Sequence, residues 1–499
     1  MSLISWIAKL LANKVVRKTT ALHNNAKNSQ TQLLATLINL SKNTQFGKDH
    51  QFNKITDFKS FVNHVPVRDY EALATYVNRV VDGENDVLYP GKPVYFAKTS
   101  GTTSGSKYIP ITKASIKTHI AAARNALLFH IYNTGSSNFV NGKMIFLQGS
   151  PELYKTNGVL TGRLSGIVYH HVPNYLLKNR LPSYTTNCIE DWEQKVDAVV
   201  EETIKENMTL ISGIPPWVIM YFEKLRDKSG GKKIIEIFPN LSLFIHGGVN
   251  FAPYENQITE LIGKRIPMIE TFPASEGFFA FQNSEHDDGL LLNLGGKMFY
   301  EFIPVANLND DEPKRIPLWG VELNVNYALV VTSNAGLWAY SIGDTVKFVS
   351  LKPYKIRVTG RTKHFLSAFG EHVIAEEVTK AMQIACTASN AVVKEFHVAP
   401  FVSPQGQKES YHEWFVEFVK PPENLTEFAQ TLDKAMCQQN EYYKDLSEGQ
   451  LLQPLKVSQL KTNGFKNYQK SIGKLGGQNK VGRLANGRDV ANQLQPWLV

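Results

Sequence analysis

Lys98-Thr99-Ser100-Gly101-Thr102-Thr103-Ser104-Gly105-Ser106-Lys107-Tyr108 decides how this chain is read, because every residue from Thr99 to Lys107 is serine, threonine, glycine or lysine. A strand-like run, Pro93 to Ala97 (PVYFA), leads into it, and a second short β-like run, Tyr108 to Thr112 (YIPIT), leads out. Small residues let backbone N–H groups turn inward as an anion-binding nest, hydroxyls add donors, and Lys107 brings a full positive charge. The guest that suits such a loop is a polyphosphate. Standing alone, the stretch reads first as a Ser/Gly/Thr surface hairpin.

The stretch is not the phosphate loop G-x-x-x-x-G-K-[ST], in which a magnesium-binding hydroxyl and a helix follow the lysine. Gly101 and Gly105 are one residue too close, Ser106 precedes the lysine, and Tyr108 stands where the hydroxyl should be. Helix is expected only after Thr112, a good N-cap for a face carrying Ile116, Ile120, Leu127 and Ile131.

A chain of 499 residues is too long for one ordinary core, so two domains or more are expected. Its 43% hydrophobic and 20% charged content is that of a soluble globular protein, and no apolar run reaches membrane-spanning length. Met1 to Val16 has scattered lysines and an amphipathic pattern (Leu3, Ile7, Leu10, Leu11) without the unbroken apolar centre of a signal peptide. It reads as a packing helix, with a membrane-surface helix as the alternative. Cys188, Cys386 and Cys437 are far apart and suggest neither a disulfide framework nor a metal knuckle, which fits a reducing cytoplasm. The formal charge of +9 is uneven. Lys461, Lys466, Lys470, Lys474, Lys480, Arg483 and Arg488 follow one another with no acid among them, leaving +2 for the rest of the chain. Such a segment suits clamping a small polyphosphate or a nucleic-acid backbone. No nucleic-acid module accompanies it, so no nucleic-acid partner is expected.

Residues 1 to 90 look helical, and PVRDYEAL (Pro66 to Leu73) reads as a turn entering a packing helix. Lys143 to Leu147 is an apolar strand ending in Gln148-Gly149-Ser150. Ile211 to Pro216 opens a helix, and Leu241 to Ile245 is a strand running into His246-Gly247-Gly248. Alternation of strands and helices argues for α/β layering with mostly parallel sheets, whose ligands collect at the carboxyl ends of the strands. Gly247 and Gly248 there let a flat ring approach the backbone, although a tight turn explains them equally well. Met268 to Thr271 leads into Phe272-Pro273-Ala274-Ser275-Glu276-Gly277. Glu276, between two apolar strands, needs a partner such as magnesium bridging to phosphate, or else it is an exposed hairpin acid. Asp344 follows Gly343 between strand-like runs, where it suits the two hydroxyls of a ribose, with an ordinary Gly-Asp turn as the alternative. After the strand Lys355 to Thr359 comes the basic cluster Gly360-Arg361-Thr362-Lys363-His364, and the organisation changes. Ile374 to Ala385 and Leu425 to Met436 read as helices, and Ala391 to Val398 and Glu413 to Val419 as strands. This is a small α+β unit, with the boundary near Gly360. None of the histidines shows metal spacing; His170-His171 read as a strand pair, and His119 and His130 as helix-surface or core residues.

TSGTTSGSK, FPASEG, YSIGD and GRTKHFLSAFGE together resemble the adenylate-forming superfamily of acyl-CoA synthetases, peptide-synthetase adenylation domains and luciferases. FAKTSGTTSGSKYIPIT and GGQNKVGRL narrow the resemblance to the Gretchen Hagen auxin-responsive family of acyl-acid amido synthetases, particularly its bacterial branch, from roughly Pro66 to Arg488. The resemblance implies a large multi-layered ATP- and acyl-substrate-binding domain (1–359) and a small mobile lid domain (360–499), hinged near 360–363. It implies a ligase that uses ATP and Mg2+ to turn a carboxylic acid into acyl-AMP, releasing pyrophosphate, and then passes the acyl group to an amine, typically of an amino acid, releasing AMP. By matching, Ser100, Gly101, Thr102, Thr103 and Lys107 would hold phosphates. Gly247, Gly248, Phe272 and Ser275 would lie along the nucleotide, Glu276 would bind magnesium, Asp344 would hold the ribose, and Arg361 would reach the nucleotide. Lys363 falls at the hinge. Lys480 matches the adenylation lysine, with Lys474 as runner-up, because Gly482 replaces the proline that commonly follows. Phe272 stands where relatives often carry tyrosine. An acyl-CoA ligase and a catalytically inactive nucleotide- or nucleic-acid-binding protein are the alternatives. The acid, the amine and the oligomeric state are left open, and the helix Ile116 to Tyr132 with Leu164 to Tyr175 is expected to wall the substrate pocket.

Overall fold

In the computed structural model, backbone contacts divide the chain into two units, Met1–Phe251 with Glu255–Val358, and Ala252–Tyr254 with Thr359–Val499. The structure describes residues 3–100, 106–172, 178–248, 251–285, 289–308, 310, 312–362, 373–402, 410–448, 452–475, 481–485 and 487–499.

The larger unit begins with helices, as the first 90 residues suggest. Several starts are marked by a side chain that accepts the first orphan N–H groups: Asp57 for Phe58–His64, Asp69 for Tyr70–Val81, and Thr112 in a capping box with Ser115 for Lys113–Thr134. The first helix, Leu3–Asn24, does not bury the stripe that its spacing nominates. It packs through Ala8, Ala12, Val15 and Val16 against the Lys113–Thr134 helix, whereas Trp6, Ile7, Leu10 and Leu11 are exposed. Small side chains win the buried face because they let the two helix axes come close.

The strands follow in chain order. β1 (Tyr95–Ser100), β2 (Ser106–Ile111), β3 (Lys143–Phe146), β4 (Tyr154–Thr156), β5 (Val159–Gly162) and β6 (Arg180–Leu181) come first. β7 (Met208–Ser212), β8 (Leu243–Gly247), β9 (Met268–Pro273), β10 (Phe278–Phe281) and β11 (Leu290–Leu292) continue the series. β12 (Met298–Pro304), β13 (Ile316–Pro317), β14 (Asn326–Ser333), β15 (Tyr340–Leu351) and β16 (Tyr354–Arg361) close it. Four of them form a sheet in the order β2-β1-β5-β4; the other twelve form one sheet, β13-β12-β14-β15-β16-β11-β10-β9-β8-β7-β3-β6. The α/β class is as expected, but the large sheet is mixed. β9, β8, β7, β3 and β6 pair in parallel, while β9–β10, β10–β11, β11–β16, β12–β13, β12–β14 and β14–β15 are antiparallel. Parallel neighbours need helical crossovers, which in the twelve-stranded sheet the chain supplies only between β3 and β9. Phe279, Tyr300, Val330, Trp338 and Phe348 are fully buried in the core over the antiparallel half.

His170 and His171 do not alternate along a strand; they follow the end of the short helix Leu164–Tyr169. Gly343 and Asp344 do not interrupt two strands either. They lie inside β15 where its register against β14 slips, with Gly343 at φ +82°, which makes the break a β-bulge.

In the smaller unit, β17 (Val392–Phe401), β18 (Tyr411–Lys420) and β19 (Lys456–Leu460) form a sheet in that order. The helices Ala375–Ser389 and Leu425–Gln439 contribute Val378, Met382, Phe428 and Leu432 to the core beneath it. Two cations of the basic tail are bound to acids of this unit: Arg483 Nε lies 2.9 Å from Glu395 Oε1, and Arg488 Nη2 lies 2.6 Å from Glu413 Oε2. The tail is therefore not a uniform cationic surface, since these two charges are consumed in holding it to the sheet.

Among the described residues no helix is long and apolar enough to cross a membrane, and no group of three metal-ligating side chains occurs.

Candidate nucleotide site

The hydroxyl- and glycine-rich stretch is carried by a hairpin. β1 and β2 pair antiparallel from Tyr95↔Ile111 to Ser100↔Ser106, so both expected strands extend further into the stretch than their apolar residues indicate. Gly101, Thr102 and Thr103 lie outside the described residues, as do Lys363 and Lys480; for Ser100 only the backbone is described. Lys107 sits opposite Thr99, its Nζ 3.5 Å from Glu71 Oε1 and 5.1 Å from the centre of the Tyr70 ring.

Tyr70 and Glu71 open the Tyr70–Val81 helix, and two contacts hold that helix start in place. The Tyr108 N–H donates to the Tyr70 hydroxyl at 2.9 Å, and Arg68 exchanges backbone hydrogen bonds with the start of β15, to Ala339 O at 3.1 Å and from Ser341 N at 2.8 Å. Tyr340 is thereby set beside the hairpin. Its hydroxyl lies 3.5 Å from Glu276 Oε1, and its pKa is pushed up, first by burial and then by the negative charges of Glu276 and Glu71. One buried phenol thus feels both carboxylates, while Lys107 offsets one of them.

Glu276 lies in the tight turn between β9 and β10, closed by reciprocal hydrogen bonds between Ala274 and Gly277. Ser275 shares that turn, and Phe272, half-buried at the end of β9, rests 5.1 Å from the Phe279 ring. β8 lies alongside with Gly247 opposite Thr271. A Cβ on Gly247 would stand 2.3 Å from Thr271 O, so no larger residue fits, and Gly248 takes φ +82°. Close approach explains the first glycine and backbone conformation the second. Asp344 is in the β15 bulge, four residues beyond Tyr340, and Arg361 is the exposed last residue of β16. The structure thus gathers Lys107, Glu276, Ser275, Phe272 and Gly247 around the hairpin and the β8–β9–β10 turn.

Tyr70, Glu71 and Tyr340 were not legible as site residues. A signal was present in Asp69-Tyr70-Glu71, where two acids crowd one helix start that needs only one cap, so that the second has to find a cation elsewhere. Glu270, two residues before Phe272, is another group the pattern hides; burial raises its carboxyl to about 7 against the opposing charge of Arg357.

A cleft of about 320 Å3 runs along the Lys113–Thr134 helix, lined by Lys113, Ile116, Lys117, Ile120, Ala121 and Arg124 and faced by His171. His171 Nε2 lies 3.0 Å from the Tyr95 hydroxyl, and burial holds its pKa below the ordinary imidazole value. The floor is apolar and the rim cationic, an arrangement suited to an acid with an apolar body.

Three domain profiles of one family match the chain in order: the GH3 family N-terminal domain over residues 15–187, the central domain over 291–361 and the C-terminal domain over 376–489. A jasmonoyl--L-amino acid synthetase of Nicotiana attenuata, JAR4, is 24% identical over 405 residues, covering 67% of this chain and 68% of that protein. The solved structure of the acyl acid amido synthetase AtGH3.15 in complex with 2,4-DB superposes with a TM-score of 0.79 at 16% identity, over 98% of this chain and 96% of that one. A 2-hydroxyisobutyryl-CoA ligase solved in the postadenylation state with 2-HIB-AMP gives 0.61 at 13% identity, over 93% and 91%.

Proposed function

The chain belongs to the GH3 family, and from that premise we propose that it is an ATP-dependent ligase that activates a carboxylic acid as its adenylate and passes the acyl group to an amine, an amino acid being the acceptor class. The observation that carries the reading is that Tyr340, 3.5 Å from Glu276, is set beside the β1–β2 hairpin, whose Lys107 pairs with Glu71. It brings a cation for phosphate oxygens and a carboxylate for a metal to one place.

In this reading Ser100, Gly101, Thr102, Thr103 and Lys107 hold phosphates. Phe272 stacks on the adenine against Gly247 and Gly248, Ser275 lines the nucleotide, Asp344 accepts from the ribose hydroxyls, and Arg361 reaches the nucleotide. Magnesium fits Glu276, with Glu71 nearby: Mg2+ uses one or two carboxylates and takes its remaining ligands from water and phosphate, so a three-residue cage is not needed. Bound there, it would neutralise charge on the phosphates. The apolar floor of the cleft takes the body of the acid. The acid's carboxylate oxygen attacks the α-phosphorus, the bond to pyrophosphate breaks, and catalysis rests on positioning and charge neutralisation. The acceptor nitrogen then attacks the acyl carbon, AMP leaves, and the amine gives up a proton. One site serving two unlike steps favours a small domain (360–499) that turns about residues 360–363, near Lys363, to bring Lys480 in for the first step.

Carboxylate-dependent exchange of pyrophosphate into ATP tests the first half-reaction, and mass spectrometry of products formed with amino acids or with coenzyme A tests the second. Exchange with no acid of a broad panel would sink the ligase reading. Exchange with a thioester and no amide would move the chain to the CoA-ligase class.

A further inference from the structure

The first helix, Leu3–Asn24, turns one face into the core and the other to solvent. Ala8, Ala12, Val15 and Val16 pack inward, whereas Trp6, Ile7, Leu10 and Leu11 are between 44% and 51% exposed. Neighbours along one face of a helix are three or four residues apart. Trp6, Leu10, Lys14 and Arg17 follow that spacing, and so do Ile7, Leu11, Lys14 and Lys18. Lys14, Arg17 and Lys18 are exposed too, so one solvent face carries an apolar patch and then a cationic one. No acid in this part of the sequence offsets them: seven lysines and arginines precede Asp49, the first acidic residue of the chain.

This helix is built into the folded body. Near its end the buried His23 donates from Nε2 to Leu292 O at 3.1 Å, while its Nδ1 accepts from the Tyr354 N–H at 3.2 Å. The exposed face is thus held ready, with little ordering entropy left to lose on contact.

Area and charge together identify what fits it. Four half-exposed side chains offer roughly a few hundred Å2, short of the about 800 Å2 that each partner gives to a stable protein interface. A second copy would bring the same cations and no acid to meet them. An anionic bilayer has neither restriction. Its interfacial layer takes a tryptophan and aliphatic side chains at shallow depth, and its lipid phosphates are the countercharge for lysine and arginine.

We propose that this face docks the protein reversibly on an anionic bilayer surface, with Trp6, Ile7, Leu10 and Leu11 in the interfacial layer and Lys14, Arg17 and Lys18 on lipid phosphates. The helix lies on the surface and does not cross it, in keeping with the absence among the described residues of any helix long and apolar enough to span. The docking is independent of the chemistry at the nucleotide site.

The test is flotation of the full chain with vesicles of phosphatidylcholine alone or mixed with phosphatidylglycerol. Neutral vesicles should bind it at least about 10-fold more weakly than mixed ones, and the difference should close as salt is raised. Lys14→Gln/Arg17→Gln/Lys18→Gln should lower partitioning onto mixed vesicles about 100-fold, at roughly fivefold per cation. Leu10→Gln/Leu11→Gln should lower it at least about 10-fold. Both sets avoid the packed face, so thermal melts should match the parent. Lys461→Gln/Lys474→Gln, exposed in the basic tail, should bind like the parent. Lipids brominated on the acyl chain should quench part of the parent's tryptophan fluorescence, and Trp6→Phe, which keeps an aromatic ring there, should lose that part. No binding, equal binding to both vesicles, or binding that survives the triple substitution overturns the proposal, as does binding lost in the tail variant instead. A dimer in sedimentation velocity without lipid, dissolved by Leu10→Gln/Leu11→Gln, overturns it in favour of a second copy.

Discussion

Arg315 and Arg163 are cations of the same unit, and the chain treats them in opposite ways. The Arg315 side chain is 4% exposed and lies 2.7 Å from Glu301, whose side chain is wholly buried, with a further donation to Val65 O at 2.5 Å. Burial raises the Glu301 pKa and the guanidinium opposes it, so each charge exists because of the other. Arg163 and Lys195 have no such acid. Arg483 and Arg488 in the smaller unit go with Arg315, being paired with Glu395 and Glu413. The difference teaches that a buried cation is understood only through its pairing. A paired one is part of the scaffold; one left without an acid is satisfied by backbone oxygen, as Lys195 is by Asn187 O, or by water.

Four substitutions break or sharpen that contrast. Arg315→Met should have the largest effect, costing about 3–5 kcal/mol of stability because it strands Glu301, with no selective effect on any substrate constant. Urea melts read it, and a loss below about 1 kcal/mol would remove Arg315 from the scaffold class. Lys480→Ala should lower pyrophosphate exchange about 10²- to 10³-fold, on the order of 2.7–4 kcal/mol, with an unaltered melt. A supplied acyl-adenylate and amine should still give amide at near-parent rate; if both half-reactions fall together, the lysine serves both or is structural, and if neither falls, Lys474→Ala is the next variant. Lys107 is intermediate, partly exposed and 3.5 Å from Glu71, so Lys107→Ala should raise the KM for ATP by about 10- to 100-fold with little change in stability. An unchanged KM counts against the hairpin as a phosphate site. The smallest effect, of opposite sign, is expected at Lys195. The folded lysine loses its proton near pH 8 and the unfolded one only above 10, so stability should rise with pH across that window. Lys195→Met should abolish the rise and, at pH 7, be more stable than the parent by on the order of 1 kcal/mol, after the lost bond to Asn187 O is allowed for. A less stable Lys195→Met would mean that the lysine is scaffold after all.

Local chemistry made much of this legible in advance. Thr112 caps its helix because a hydroxyl before an apolar period has one best use, and the apolar runs around Lys143, Leu243, Met268 and Phe278 became strands for the same kind of reason. Pairing partners were not legible. Nothing in Pro66 to Leu73 says that Arg68 will bridge to β15, yet that bridge sets Tyr340 beside Tyr70 and Glu71. The mixed sheet escaped because hydrophobic runs do not encode strand direction, and the first helix packs as expected but through the face whose alanines fit a close helix contact, not the one its leucines mark. In the sequence, Arg163 and Lys195 are two cations among 54 lysines and arginines. Only their burial and the missing acid distinguish them.

β9 belongs to both halves of the large sheet, parallel to β8 on one side and antiparallel to β10 on the other. That dual membership sets an order of assembly. The β9–β10 hairpin closes through a local turn, an event of about microseconds, whereas β8 reaches β9 only after the Ala252–Ile262 helix has formed and folded back. Glu276 is therefore fixed in its turn early, while the Gly247 wall beside it arrives late. A chain emerging from synthesis would hold its acidic corner before the Gly247 wall beside it, so in the proposed reading a nucleotide would be bound only once the slower, parallel half has docked.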